Sequence, residues 1–283
     1  MTQSGLAECV VSGLGLCSQH STPVSTPAEQ VALPRDLEGV PCSGNINYAS
    51  IVGMLLYLCG HSQPDIAYAV HQCARYNFEP KRSHELALKR IGRYLKGTMS
   101  KGLILDPSDD YNIDCYPDAD FAGLWGRENP DDPSSVRSRT GYVITLARCP
   151  VLWVSRLQPS IAMSTMESEY IALSQSCKDL FPVVDLACEM GSWLGLEFSK
   201  SSNMHVRVHE DNVGALTLGK LEPRRATPRS KHYAVKYHWF RSEIGPRNIQ
   251  LVKISTEHQL GDMFTKGLGR IIFERLRNKL MGW

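Results

Sequence analysis

The chain has 283 residues, 42% apolar and 21% charged, with 31 Lys+Arg against 29 Asp+Glu and a formal net charge of +2. This ordinary balance excludes a disordered, collagen-like or disulfide-framework protein, and the length allows one large domain or two unequal ones. Nine scattered cysteines form no C-x-x-C pair and no Cys/His cluster at zinc spacing, which points to a reduced, intracellular chain without structural zinc. The longest apolar run, Ile51 to Cys59, falls far short of the roughly 18–20 residues a membrane span needs, so no membrane partner or targeting segment is expected. The small net charge hides an asymmetry. Residues 221–283 hold 13 Lys/Arg against 5 Asp/Glu, a local excess of +8 over a body of −6; such a split suits either a polyanion partner or a plain solvated basic face.

Residues 1–45 are rich in Ser, Thr, Pro and Gly without sustained period and read as a flexible linker. A helix should open near Asn47, where Tyr48, Ile51, Val52, Leu55 and Leu56 recur at helical spacing. Pro64-Asp65 restarts a second through Ile66, Val70 and Cys73, and a third covers Ser83 to Leu95. Together they make a small helical unit over 46–105. The pattern then turns to strands at Tyr111–Cys115, Thr140–Leu146 and Val151–Ser155, short β-branched or aromatic runs separated by Gly, Pro and Asp. Ser164 and Glu167 form a capping-box signature ahead of a long helix through Leu173, Cys177, Leu180 and Val184, which Pro182 should kink or divide. Met204–Val208 reads as a strand, Asn212–Leu218 and Lys231–Ser242 as helices and Ile249–Ile254 as a last strand. Thr256 and Gln259 form a second capping-box signature that should open a C-terminal helix. The order β-β-β-α-β-α-α-β-α from residue 111 implies an α/β fold with a mixed sheet covered by helices.

Four acids fall at the ends of these elements: Asp118 after the first strand, Glu169 in the opening turns of the long helix, Asp211 after the fourth strand, and Asp262 after Thr256. Acids at helix N-termini are favoured by capping and by the dipole, so each alone has a structural explanation. Their order across the whole frame is the specific signal. Carboxylates without Cys or His at metal spacing suit Mg²⁺ or Mn²⁺ rather than zinc, and four converging acids would hold two ions about 3.5–4 Å apart. His258, four residues before Asp262 and so on the same helix face, could help a phosphate or product leave, with a plain surface histidine as the simpler reading.

At these residues the chain resembles the C-terminal part of the Pol polyprotein of copia-type LTR retrotransposons. Tyr48–Leu58, Pro64–Val70 and Leu88–Thr98 resemble the region after the reverse transcriptase palm. Asp118–Gly123, Ser138–Val143, Ser164–Ala172 and Asp262–Lys266 resemble its ribonuclease H domain, and even Ser21–Pro27 is similar to the family's linker. The resemblance implies a ribonuclease H-like mixed sheet flanked by helices over 106–283, preceded by a helical reverse transcriptase tail or connection over 46–105. It implies that Asp118, Glu169, Asp211 and Asp262 bind two Mg²⁺ or Mn²⁺ ions, with Asp120 and Glu167 as alternatives for the first two positions.

The implied activity is that of a Mg-dependent endoribonuclease, hydrolysing the RNA strand of RNA-DNA hybrids during reverse transcription. Its partners would be the hybrid and the upstream reverse transcriptase portion, in an intracellular setting, cytoplasmic within a virus-like particle or nuclear. Arg229, Lys231, Lys236 and Arg241 of the basic tail would supply phosphate contacts. The alternative is a catalytically silent remnant or connection module that binds nucleic acid or packs against the polymerase. The family's polymerase signature, an aromatic residue and any residue before two aspartates, is absent, since Asp109-Asp110 and Asp131-Asp132 lack the aromatic. Two departures stand out. Lys231-His232-Tyr233-Ala234 replaces the family's Lys-His-Ile-Asp, and the connection over 124–137 is longer than the family's turn and could reshape substrate access.

Overall fold

A computed structural model describes residues 1–126, 128, 132, 135–195, 204–222, 225 and 237–283. In chain order the helices are α1 (Ser4–Gly13), α2 (Tyr48–His61), α3 (Ala67–Ala74, after a 3₁₀ turn Pro64–Ile66), α4 (Arg82–Thr98), α5 (Thr165–Trp193), α6 (Val213–Gly219), α7 (Arg241–Ile244), α8 (Asp262–Thr265) and α9 (Arg270–Met281). The strands are β1 (Ile113–Asp120), β2 (Arg139–Leu146), β3 (Cys149–Leu157), β4 (Val206–Glu210) and β5 (Ile249–Lys253). The chain divides into two compact units. A helical unit holds residues 1–105, 122–137 and 263–283, and a sheet unit holds 106–121 and 138–262.

In the helical unit, α2 begins where predicted because Asn47 accepts the Ser50 N–H at its N-cap. Its apolar stripe, Ile51, Val52, Leu55 and Leu58, is buried. Residues 1–45 differ from the expected linker. Ala7, Val10 and Val11 recur at helical spacing and are buried from α1. The Lys96 ammonium then holds the following segment by donating to the carbonyls of Leu16, Ser18 and Ser21 at 2.9, 2.7 and 3.0 Å. Buried Glu85 accepts the Ser43 N–H at 2.9 Å and binds Lys89 and Arg82. The 124–137 connection also belongs to this unit, where Glu128 accepts the Tyr76 hydroxyl at 2.9 Å and Asp132 pairs with Arg35 at 3.0 Å. Residues 263–283, expected with the nuclease-like domain, likewise belong here. Arg277 donates to the Tyr94 hydroxyl at 3.3 Å, and the Ile104 N–H to the carbonyl of Met281 at 3.1 Å.

The sheet unit has strand order β3-β2-β1-β4-β5, antiparallel across β3, β2 and β1 and parallel across β1, β4 and β5. Alternation explains its core. Ile113, Cys115, Val206, Val208, Ile249 and Leu251 enter one apolar cluster with Ile171, Leu173, Cys177 and Leu180 of α5 and Leu216 of α6. β2 and β3 meet in a two-residue turn with Ala147 at φ 49° and Arg148 at φ 69°, the left-handed pair that matches strand twist. The α5 cap forms as predicted. Ser164 Oγ accepts the Glu167 N–H at 3.2 Å, while the Glu167 carboxylate reaches back to the Met163 N–H at 2.8 Å. Pro182 does not divide α5, because it and Lys178 lie on the solvent face, where water can take the freed carbonyl, while Leu180, Phe181 and Val184 are buried around them. Of the helix expected at 231–242, residues 231–236 lie outside the described residues, and among the rest Tyr237 is in a 3₁₀ turn and α-helix begins only at Arg241. The second capping box does not form. Thr256–His258 is a single 3₁₀ turn, the backbone extends at Gln259, and a helix restarts at Asp262.

Candidate metal centre

β1 and β4 are parallel neighbours in the middle of the sheet, so their C-terminal ends point the same way, and the N-terminal turns of α5 arrive beside them. Asp118 comes from β1, Glu169 from the second turn of α5 and Asp211 from the residue after β4. One carboxylate oxygen from each lies within 4.8 Å of those of the other two. Asp118 and Glu169 are buried and Asp211 is half-buried. Ionised carboxylates at that separation repel by roughly 3–4 kcal/mol per pair at an effective dielectric near 20, so the arrangement calls for positive charge. The donor set is entirely carboxylate oxygen, which fits a hard divalent cation such as Mg²⁺ or Mn²⁺.

Of the alternatives, Asp120 closes β1 opposite Arg139 and stands outside the gathered group, and Glu167 is engaged in the α5 cap. Asp262 is buried at the start of α8, in the segment that passes over β1, but it is not one of the three gathered acids. Gly261 explains how closely that segment approaches. A Cβ there would stand 2.7 Å from both the Tyr116 carbonyl oxygen and the Asp118 Cβ, so only glycine fits.

Several residues around the cluster escaped the sequence reading. Glu210, the last residue of β4, is fully buried, and its Oε1 accepts the Asn212 N–H at 3.1 Å. Burial first, and then the charges of Asp211 and Asp118, push its carboxyl well above the usual range. The alternation of Val206, Val208 and Glu210 on the buried face of β4 is the signal that marks it. Thr256 Oγ1 donates to Asp211 Oδ2 at 2.8 Å. Gln259, read as half of a capping box, instead sends its carboxamide between β1 and β4, donating to the carbonyls of Pro117 at 2.9 Å and His209 at 3.1 Å. Nearby, Asp114 receives Arg207 at 2.8 and 3.0 Å and His209 at 2.6 Å, while the His209 ring stacks on Tyr116 at 4.5 Å. Burial raises the Asp114 carboxyl, but those donors outweigh it and hold it below its ordinary value.

The expected phosphate contacts are only partly within view. Arg229, Lys231 and Lys236 lie outside the described residues. Arg241 is corrected. It is buried and its guanidinium donates to the carbonyls of Arg225 at 2.9 Å and Leu218 at 3.5 Å, so it fastens the core rather than facing a ligand.

The sheet unit is thus a five-stranded mixed α/β sheet flanked by helices, with carboxylates gathered at the ends of its central strands. No family model matches the chain. It is 31% identical over 258 residues to the retrovirus-related Pol polyprotein from transposon RE1 of Arabidopsis thaliana, which covers 91% of this chain and 16% of that protein. It is 33% identical over 273 residues to the corresponding polyprotein from transposon TNT 1-94 of Nicotiana tabacum, covering 93% and 19%. Among solved structures, LC11-RNase H1 isolated from compost matches 55% of this chain and 93% of that one, at 20% identity and a TM-score of 0.36. These relatives are retrovirus-related Pol polyproteins, and the chain spans less than a fifth of the length of either. No helix among the described residues is long and apolar enough to cross a membrane.

Proposed function

We propose that the sheet unit is the ribonuclease H of a copia-type Pol polyprotein, acting on the RNA strand of RNA-DNA hybrids during reverse transcription. The observation that carries this reading is the gathering of Asp118, Glu169 and Asp211 within 4.8 Å at the ends of β1 and β4 in a ribonuclease H-like sheet. These three would hold divalent ions, with Asp262 as the fourth acid of a two-ion site. Bound Mg²⁺ or Mn²⁺ would supply Lewis acidity and an activated water for phosphodiester hydrolysis. The side chains' own part is to offer ionised oxygen at fixed positions. Asp118 does so from a strand, Glu169 from a capped helix, and Asp211 under the hydrogen bond from Thr256. Choice of RNA over DNA would come from the 2′-hydroxyl, which only the RNA strand presents.

The helices over 46–105 are proposed to be the tail of the reverse transcriptase portion, whose upstream part would be the partner within the polyprotein, in an intracellular setting. The test is cleavage of a labelled RNA-DNA hybrid by the full chain. Cleavage should require Mg²⁺ or Mn²⁺ and vanish in Asp211→Asn; cleavage that persists in EDTA would sink the reading. Hybrid binding without turnover in the presence of either ion would assign the silent, nucleic-acid-binding role instead.

A further inference from the structure

The backbone pairing between β1 and β4 stops early. Its register runs Ile113 with Val206, Asp114 with Arg207 and Cys115 with Val208, although β1 continues to Asp120 and β4 to Glu210. The cause lies in the sequence. Pro117 has no N–H to offer the neighbouring strand, and a proline inside a sheet removes a ladder hydrogen bond. The opening lies immediately before Asp118 and two residues before Asp211, so the two strands that carry these acids are not joined by their own backbones where the acids project.

Gln259 fills the opening. It is fully buried, its Nε2 donates to the Pro117 carbonyl at 2.9 Å and to the His209 carbonyl at 3.1 Å, and its Oε1 accepts the Gly261 N–H at 3.2 Å. Two carbonyls and one N–H have fixed polarity, so the orientation of the carboxamide is determined by its partners. Few other side chains serve here. A glutamate would turn an ionised oxygen toward two carbonyls, and a leucine or methionine would leave both carbonyls buried without a donor. The same segment reaches both acids directly, through Gly261 packed on Asp118 and Thr256 bonded to Asp211.

We propose that Gln259 is a positioning residue that sets the separation of Asp118 and Asp211, taking the place of the rung that Pro117 denies to β1 and β4. The proposal rests on the reading of those acids as metal ligands. Residues that orient ligands without touching the ion typically change metal affinity by about 10–100-fold when replaced.

The experiment compares the wild-type full chain with Gln259→Met, which keeps the shape and removes the donors, using Mn²⁺ alone as the probe. Mn²⁺ affinity is measured by calorimetry, and amide hydrogen exchange is followed at residues 116–120 and 209–212. Gln259→Met should weaken Mn²⁺ binding by roughly tenfold or more and speed exchange at those two strand ends, with the β2–β3 hairpin unchanged. Should Gln259→Met fail to fold, Gln259→Asn, whose arm is one methylene too short to donate to both carbonyls at once, carries the same comparison. A folded variant that binds Mn²⁺ within about twofold of wild type overturns the proposal, even if exchange quickens, because the bridge would then be merely structural. A wild-type chain that binds no Mn²⁺ overturns the metal reading itself, a separate result, and exchange then decides the bridge: unchanged strand ends overturn it.

Discussion

Glu85 in the helical unit and Glu210 in the sheet unit are both fully buried glutamates, and their surroundings treat them in opposite ways. Glu85 meets donors. Arg82, Lys89, the Ser43 N–H and the Cys42 thiol all point at its carboxylate. Burial alone would raise it, but these partners hold it well below the ordinary carboxylate range. Glu210 has one N–H from Asn212 and, beyond that, the charges of Asp211 and Asp118. Burial and those charges push it up. A buried acid ringed by donors is a fastener whose charge is already balanced, whereas buried acids crowded on one another mark a place where the balancing charge comes from outside the chain.

The sharpest way to break this contrast is to remove one crowded acid. Asp211→Asn should lower hybrid cleavage on the order of 10³-fold or more while leaving the urea midpoint unchanged or higher, since it relieves repulsion; a large loss of stability would make Asp211 a fastener like Glu85. The converse substitution, Glu85→Ala, should cost roughly 1.5–3 kcal/mol of unfolding free energy, read by urea denaturation, with Mn²⁺ affinity of the chain unmoved. Because the Glu85 carboxyl is lowered on folding, its contribution is present above its unfolded value near 4.5 and is lost as pH falls.

Asp65 supplies an intermediate case. Burial raises it to about 6 in spite of the Tyr94 hydroxyl and Arg277. Its folded value lies above the ordinary aspartate value of 3.8, so its contribution is full below that pH and is lost as pH rises through about 6. Asp65→Asn should therefore add about 3 kcal/mol at pH 7 and only about 0.5 kcal/mol at pH 4, measured by denaturation at the two pH values. The smallest effect concerns the sheet alone. Replacing Ala147-Arg148 by Asn-Gly should stabilise by about 1 kcal/mol, because two non-glycine residues now occupy left-handed backbone.

Much of the sheet unit is legible in local pattern. The strands, the α5 cap at Ser164 and the ends of β1, α5 and β4 that carry Asp118, Glu169 and Asp211 follow from two-residue alternation, helical spacing and short motifs. What escapes is set by distant parts of the chain. Thr256 and Gln259 satisfy a helix-start pattern, yet Gln259 serves carbonyls 142 and 50 residues away, which no local spacing encodes. Arg241 reads as part of a basic surface, but burial against carbonyls at Leu218 and Arg225 gives it another task. The Ala147-Arg148 turn lacks the Gly or Asn that usually announces its geometry. In residues 1–45 an average rich in Ser, Thr and Pro masks the short apolar stripe Ala7, Val10 and Val11.

The grouping of residues 263–283 with residues 1–105 has a bearing on synthesis. A ribosome makes α1 to α4 before the strands of the sheet unit, and residues 263–283, which complete the helical unit, only after them. Tyr94 waits for Arg277, and Ile104 for Met281, across more than 170 intervening residues. The sheet unit has all its strands before residues 263–283 are made, so it can close first, and a truncation after residue 262 would leave it intact while stranding the earlier helices without the residues that complete their unit.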